Sequence, residues 1–153
     1  MTSERRSPGF WFMVVFLSVS MVLMLAGQTL GVFNYELAAR MGLQERPEDM
    51  TEFGVQVNRA FAAADTVVYI PLMLISMIGL IFRKHWSLLV MAAFFGVSAY
   101  WSVTVTFILA FLPGVAGYNN VPGAEIWLFI GTYMVVGVVG LFYIVLRGEE
   151  LLR

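Results

Sequence analysis

Four long apolar stretches, residues 10–33, 60–82, 86–112 and 126–146, constrain this chain more than any other feature. Each reaches the roughly 20 residues that about 30 Å of hydrocarbon demands of a helix. Lipid offers no water to satisfy backbone groups, so stretches of this kind must be helical. A membrane β-barrel would need strands of about 10 residues alternating apolar and polar, and no such alternation is present. Of the 153 residues, 60% are hydrophobic and 12% are charged, against roughly 25% charged in an ordinary soluble domain. A one-domain chain has too little interior to hide that much apolar surface from water. The expected fold is therefore an all-α integral membrane four-helix bundle, with residues 1–153 as a single transmembrane domain.

Arg5 and Arg6 precede the first stretch. That stretch is too long for a signal-peptide core of roughly 7–15 residues and lacks a small-x-small cleavage site. It is expected to remain as a span, with the arginine pair as its cytoplasmic anchor. An orientation with both termini inside places Arg5, Arg6, Arg83, Lys84, Arg147 and Arg153 in the cytoplasm, and leaves Arg40, Arg46 and Arg59 outside. Six basic residues against three favour this N-in, C-in arrangement. Chain size and simple topology point to a prokaryotic cytoplasmic membrane.

The connection over residues 34–59 is the only substantial one. Residues 34–41 are good helix formers, with Glu36 and Arg40 spaced for an i, i+4 pair and Gly42 placed to end the helix. Pro47 stands where a first helical residue belongs, followed by Glu48 and Asp49 at the positive end of the dipole. Helices 1 and 2 are thus expected to extend beyond the membrane as an antiparallel hairpin, each arm projecting about 15 Å at roughly 1.5 Å per residue. The short Arg83-Lys84-His85 link makes the second and third helices antiparallel neighbours. Residues 113–123 are rich in proline, glycine and asparagine and form a turn-rich link.

Several chemistries are excluded. The chain has no cysteine and one histidine, His85. Thiolate catalysis, Cys-based metal centres and bis-histidine haem are therefore out of reach within one chain. No phosphate-cradling glycine loop, HExxH helix or GxSxG elbow occurs. No cofactor and no metal site are expected. A net charge of −1 gives no field that would attract nucleic acid.

Asp65 is the foremost candidate, because an ionisable group within a span is rare and marks a functional site by default. Asn58, Asp65, Tyr69 and Ser76 fall within about 40° of one another on a helix, so this polar stripe is expected to face protein and not lipid. On the first helix Ser20, Gly27, Gly31 and Asn34 form a comparable stripe beside Gln28, with the glycines at the spacing that permits close approach. Six of the nine residues from 98 to 106 are Ser, Thr, Tyr or Trp, and on the fourth helix Tyr133, Gly137 and Gly140 share a face. By depth alone, Gln28, Asn34, Asp65, Tyr69, Trp101, Thr104 and Glu125 converge on the outer half of the bundle and constitute the expected ligand site.

Against this stand plainer roles. Asp65 could be held by Arg59 or by hydrogen bonds across helices, Glu125 could cap its helix, and Pro71 could simply kink the second span. Trp11, Trp86 and Trp127, with Tyr35 and Tyr118, suit the membrane interface. The favoured activity is non-enzymatic binding of a small apolar or amphipathic ligand, or of a membrane-protein partner, in addition to the bilayer itself. One alternative is a small transporter, a homo-oligomer with Asp65 as the coupling carboxylate. The other is a lipid- or quinone-directed isomerase or proton-transfer enzyme using Asp65 and Glu125.

Overall fold

A computed structural model describes residues 6–153; Arg5, counted above among the basic anchors, lies outside them. The described residues are helical apart from links, with one isolated β-bridge. Four helices are long and apolar enough to cross a membrane: α1 (Pro8–Phe33), α3 (Glu52–Ile81), α4 (Trp86–Phe111) and α5 (Ala124–Leu151). A short helix, α2 (Tyr35–Arg40), lies between the first two. Large apolar side chains including Val22, Val67, Leu89, Phe107, Val139 and Leu146 point away from the protein on all four long helices, the outward face of a multi-pass membrane protein.

The helices associate through close backbone approach and interlocked aromatics, since lipid provides no hydrophobic drive between them. The glycine face foreseen on α5 is buried against α4: Gly137 lies on the Ala99 backbone and Gly140 under the Phe95 ring. Gly79 of α3 admits Trp86 and Ser87 in the same way, which lets the link at Arg83 stay short. Tyr69 stacks on Phe94 with centroids 5.1 Å apart, and Phe16, Trp101 and Phe129 surround Tyr133 at 5.7, 6.1 and 4.7 Å.

The two ends of the bundle differ. At the basic end Arg6 donates to the Ile81 carbonyl at 2.9 Å and His85 meets Glu149 at 3.2 Å, so the residues before α1, the α3–α4 link and the end of α5 share one face. The opposite end is covered by the two remaining connections and is here called the cap end.

The first connection is not a pair of straight arms. Asn34 breaks the helix with φ −148° and ψ 79°, and its side chain accepts from Leu37 N to start α2. Gly42, at φ +72°, ends α2 as expected, with Leu43 N bonded to Ala38 O at 2.9 Å and Gly42 N to Ala39 O at 3.0 Å. The chain then folds back along α1. Gly27 and Gly31 therefore receive Leu43 and Gln44 of this returning segment. Pro47 opens a single 3₁₀ turn, Pro47–Asp49, and α3 begins later at Glu52 behind a Thr51 cap. The helix cannot start at Pro47 because Met50 is extended (φ −145°, ψ 168°) and bridges to Tyr118.

Candidate functional site

Two polar features occupy the cap half of the molecule. The first is the cap itself. Glu45 accepts Asn58 Nδ2 at 2.8 Å on one oxygen, and Tyr118 Oη at 2.8 Å and Asn120 Nδ2 at 2.6 Å on the other. Asn58 Nδ2 also reaches Tyr35 Oη at 3.1 Å. Asn119 N donates to Asp49 O at 2.7 Å. These bonds fasten the connections before α3 and before α5 to each other. Burial first, and then the hydrogen bond to Glu45, push the Tyr118 hydroxyl up to about 12.

Gln44 secures the same segment to α1, donating to Gly27 O at 3.3 Å and to Gln28 Oε1 at 3.1 Å. The carbonyl at Gly27 is accessible because Leu25–Thr29 is a π-helical turn, which displaces the regular hydrogen-bond ladder. Arg59 Nη2 takes the Val32 carbonyl at 2.9 Å, satisfying an acceptor that the helix end at Phe33 leaves open.

Between the cap and the adjoining turns of α4 and α5 lies a cleft of about 720 Å³. Its floor is apolar, built from Phe61, Trp101, Val105, Ile108, Phe129 and Ile130; its rim is polar, with Gln28, Arg40, Gln44, Arg46, Asp49, Asn120 and Glu125. The rim carries both signs of charge. A smaller hollow of about 320 Å³ at the basic end is lined by C-terminal residues such as Gly148 and Arg153 and contains none of the expected site residues.

The second feature is inside the bundle. Asp65, Tyr69 and Ser76 are buried, so the polar stripe on α3 faces inward. Ser98 Oγ donates to Phe94 O at 2.9 Å, which leaves Tyr69 to donate to Ser98 Oγ at 2.6 Å. Tyr133 Oη sits beside Ser20 without closing a hydrogen bond. Asp65 is 7% exposed and its Oδ2 has no partner. It opens a second π-helical turn, Asp65–Tyr69, which leads directly to Pro71. The two π turns face each other: Thr66 donates to Ala62 O at 2.8 Å and receives Thr29 Oγ1 at 3.1 Å.

The expected site residues thus divide. Gln28, Trp101 and Glu125 line the cleft, while Asp65 and Tyr69 lie beneath it in the bundle. Thr104 is half-buried on α4 and does not line the cleft. Asn34 is an exposed helix cap. Glu125 lines the rim and folds back against Gly123 in the first turn of α5, without making a capping hydrogen bond. Arg59 is not joined to Asp65; its two terminal nitrogens donate to Val32 O and, at 3.3 Å, to Gln56, while its buried Nε has no partner. Glu45, Tyr118, Asn120 and Gln44, none of them singled out from sequence as site residues, organise the cleft rim. Among the described residues no cluster of three or more His, Asp or Glu side chains could hold a metal ion. No protein-family model matches the chain, and comparison with characterised proteins and with solved structures finds no significant relative.

Proposed function

We propose that this chain is a membrane receptor for a small amphipathic molecule, bound in the cleft with its apolar part on the Trp101–Phe129 floor and its head group at the charged rim. The observation that carries this is the cleft itself: about 720 Å³, apolar below and polar above. That volume falls within the roughly 300–1,000 Å³ typical of small-molecule sites, and apolar walls with a few convergent polar groups are their usual lining. A single-chain amphiphile fits this space better than a protein segment would. The reading places the N- and C-termini in the cytoplasm, by the excess of lysine and arginine at the basic end, and places residues 34–59 with the cap outside the membrane.

Native mass spectrometry from lipid nanodiscs tests this, using single-chain amphiphiles with anionic, zwitterionic and cationic heads. Val105→Trp fills the floor and should weaken binding at least tenfold, whereas Asp65→Asn, outside the cleft, should leave it intact. Binding that survives Val105→Trp, or a wild-type chain that stays bare with every probe, would refute the assignment.

A further inference from the structure

We propose that Asp65 is a proton-binding site: the carboxyl is neutral and proton-loaded when the bundle is packed as it is here, and it exchanges that proton toward the cleft. The proposal does not rest on what occupies the cleft. It begins with the environment of the side chain. Asp65 is 7% exposed and its Oδ2 is buried without a partner. A carboxylate taken from water without a counter-charge is costly enough that such groups are neutralised in practice.

No counter-charge is at hand. α1 contains no charged residue, and neither does α4; the charges of α5 stand at its ends, Glu125 at one and Arg147, Glu149 and Glu150 at the other. On α3 itself the nearest cation in sequence, Arg59, reaches Val32 O and Gln56 and makes no ion pair with Asp65. The titratable side chains within the surrounding bundle are Tyr69 and Tyr133, both hydroxyls. No ion pair to Asp65 occurs among the described residues. A proton removes the charge with no further residue.

The route is set by helix register. Phe61 and Asn58, one and two turns toward the cap from Asp65, line the cleft. A turn of helix is about 5.4 Å, so the acid lies a single layer below the floor that Phe61, Trp101 and Phe129 form. The helix is also irregular at this level. Asp65 begins a π turn, Pro71 withholds the next ladder donor, and a second π turn packs opposite on α1. Tightening a π turn to α geometry rotates the residues it contains relative to the rest of the helix, which gives the carboxyl a way to move between the bundle and the floor.

Infrared difference spectroscopy of wild type against Asp65→Asn, in nanodiscs at neutral pH, reads the protonation state. The expected result is the carbonyl band of a protonated carboxylic acid, present in wild type, absent in the variant, and unchanged when sodium replaces a bulky organic cation. A carboxylate band at neutral pH overturns the proposal, and so does conversion to carboxylate on adding sodium, which would make this a metal-cation site. Should the asparagine variant not assemble, wild-type chain treated with dicyclohexylcarbodiimide decides. This apolar reagent takes the acid proton on nitrogen while the carboxylate adds to its central carbon, so the whole reagent mass stays on the residue after rearrangement. An adduct on Asp65 that diminishes as pH rises supports the proposal; an unmodified Asp65 across the pH range overturns it.

Discussion

Tyr118 Oη donates to Glu45 Oε1 across 2.8 Å, joining two residues 73 positions apart in the chain. Asn120 meets the same oxygen and Asn58 the other, so one carboxylate carries three donors from two different segments. The cap that roofs the cleft depends on this group.

Glu45→Ala is expected to strand those donors. Removing one partner of a charged hydrogen bond costs on the order of 1–3 kcal/mol, and here the loss should appear locally. Hydrogen exchange over residues 112–123 should accelerate at least tenfold, while Glu48→Ala, an exposed neighbour, changes nothing. Equal protection in both variants would remove Glu45 from its central role.

Alkaline titration should loosen the same contact. The free phenol ionises near 10, and burial with Glu45 moves Tyr118 to about 12. Between those values the folded protein holds a proton that the unfolded chain has lost, so stability falls as pH rises from about 10 to about 12 and is intact below. Thermal melting at stepped pH should show this decline in wild type and a smaller one in Tyr118→Phe.

The α4–α5 contact predicts a sharp positional contrast. A methyl group at Gly137 would lie 2.7 Å from the Ala99 backbone nitrogen, whereas one at Gly131 meets nothing within 4 Å. Gly137→Ala should destabilise the protein by about 1–3 kcal/mol, as overpacking does. Gly131→Ala should be neutral or slightly stabilising, and denaturant unfolding in mild detergent measures both.

Topology can be read directly because the chain has no cysteine of its own. Single replacements Lys84→Cys and Val121→Cys lie at opposite ends. An impermeant thiol reagent applied to intact cells should label the second and miss the first; the reverse pattern would invert the orientation proposed here.

The four spans were legible because lipid leaves an apolar stretch of that length no other structure, and the structural limits differ from the expected ones by a few residues at most ends. α3 begins at Glu52, ahead of its apolar stretch but short of the expected start at Pro47, and α5 runs on to Leu151. The inward direction of Asp65, Tyr69 and Ser76 was legible too, since helical periodicity places them on one side. Gly27 and Gly31 signalled a close approach but not its object: a short side is visible in sequence, while what fills it is not. Asn34 looked like a member of the polar stripe and is instead the point where the stripe ends, because its side chain caps α2. Glu45 carries no periodic signature. Its importance comes from Tyr118 and Asn120, which only the folded chain brings near.

The cap bonds also bear on how the molecule is made. The Asp49–Asn119 and Glu45–Tyr118 pairs unite a segment synthesised before the second crossing with one synthesised after the third. Chains emerge and fold from the N-terminus at about 5–20 residues per second, so for several seconds the nascent protein exposes Glu45 and Asn58 with no roof above them. The cleft is consequently a late product of biogenesis. A chain halted after its second crossing would hold Glu45 without the Tyr118 and Asn120 donors that close the cap.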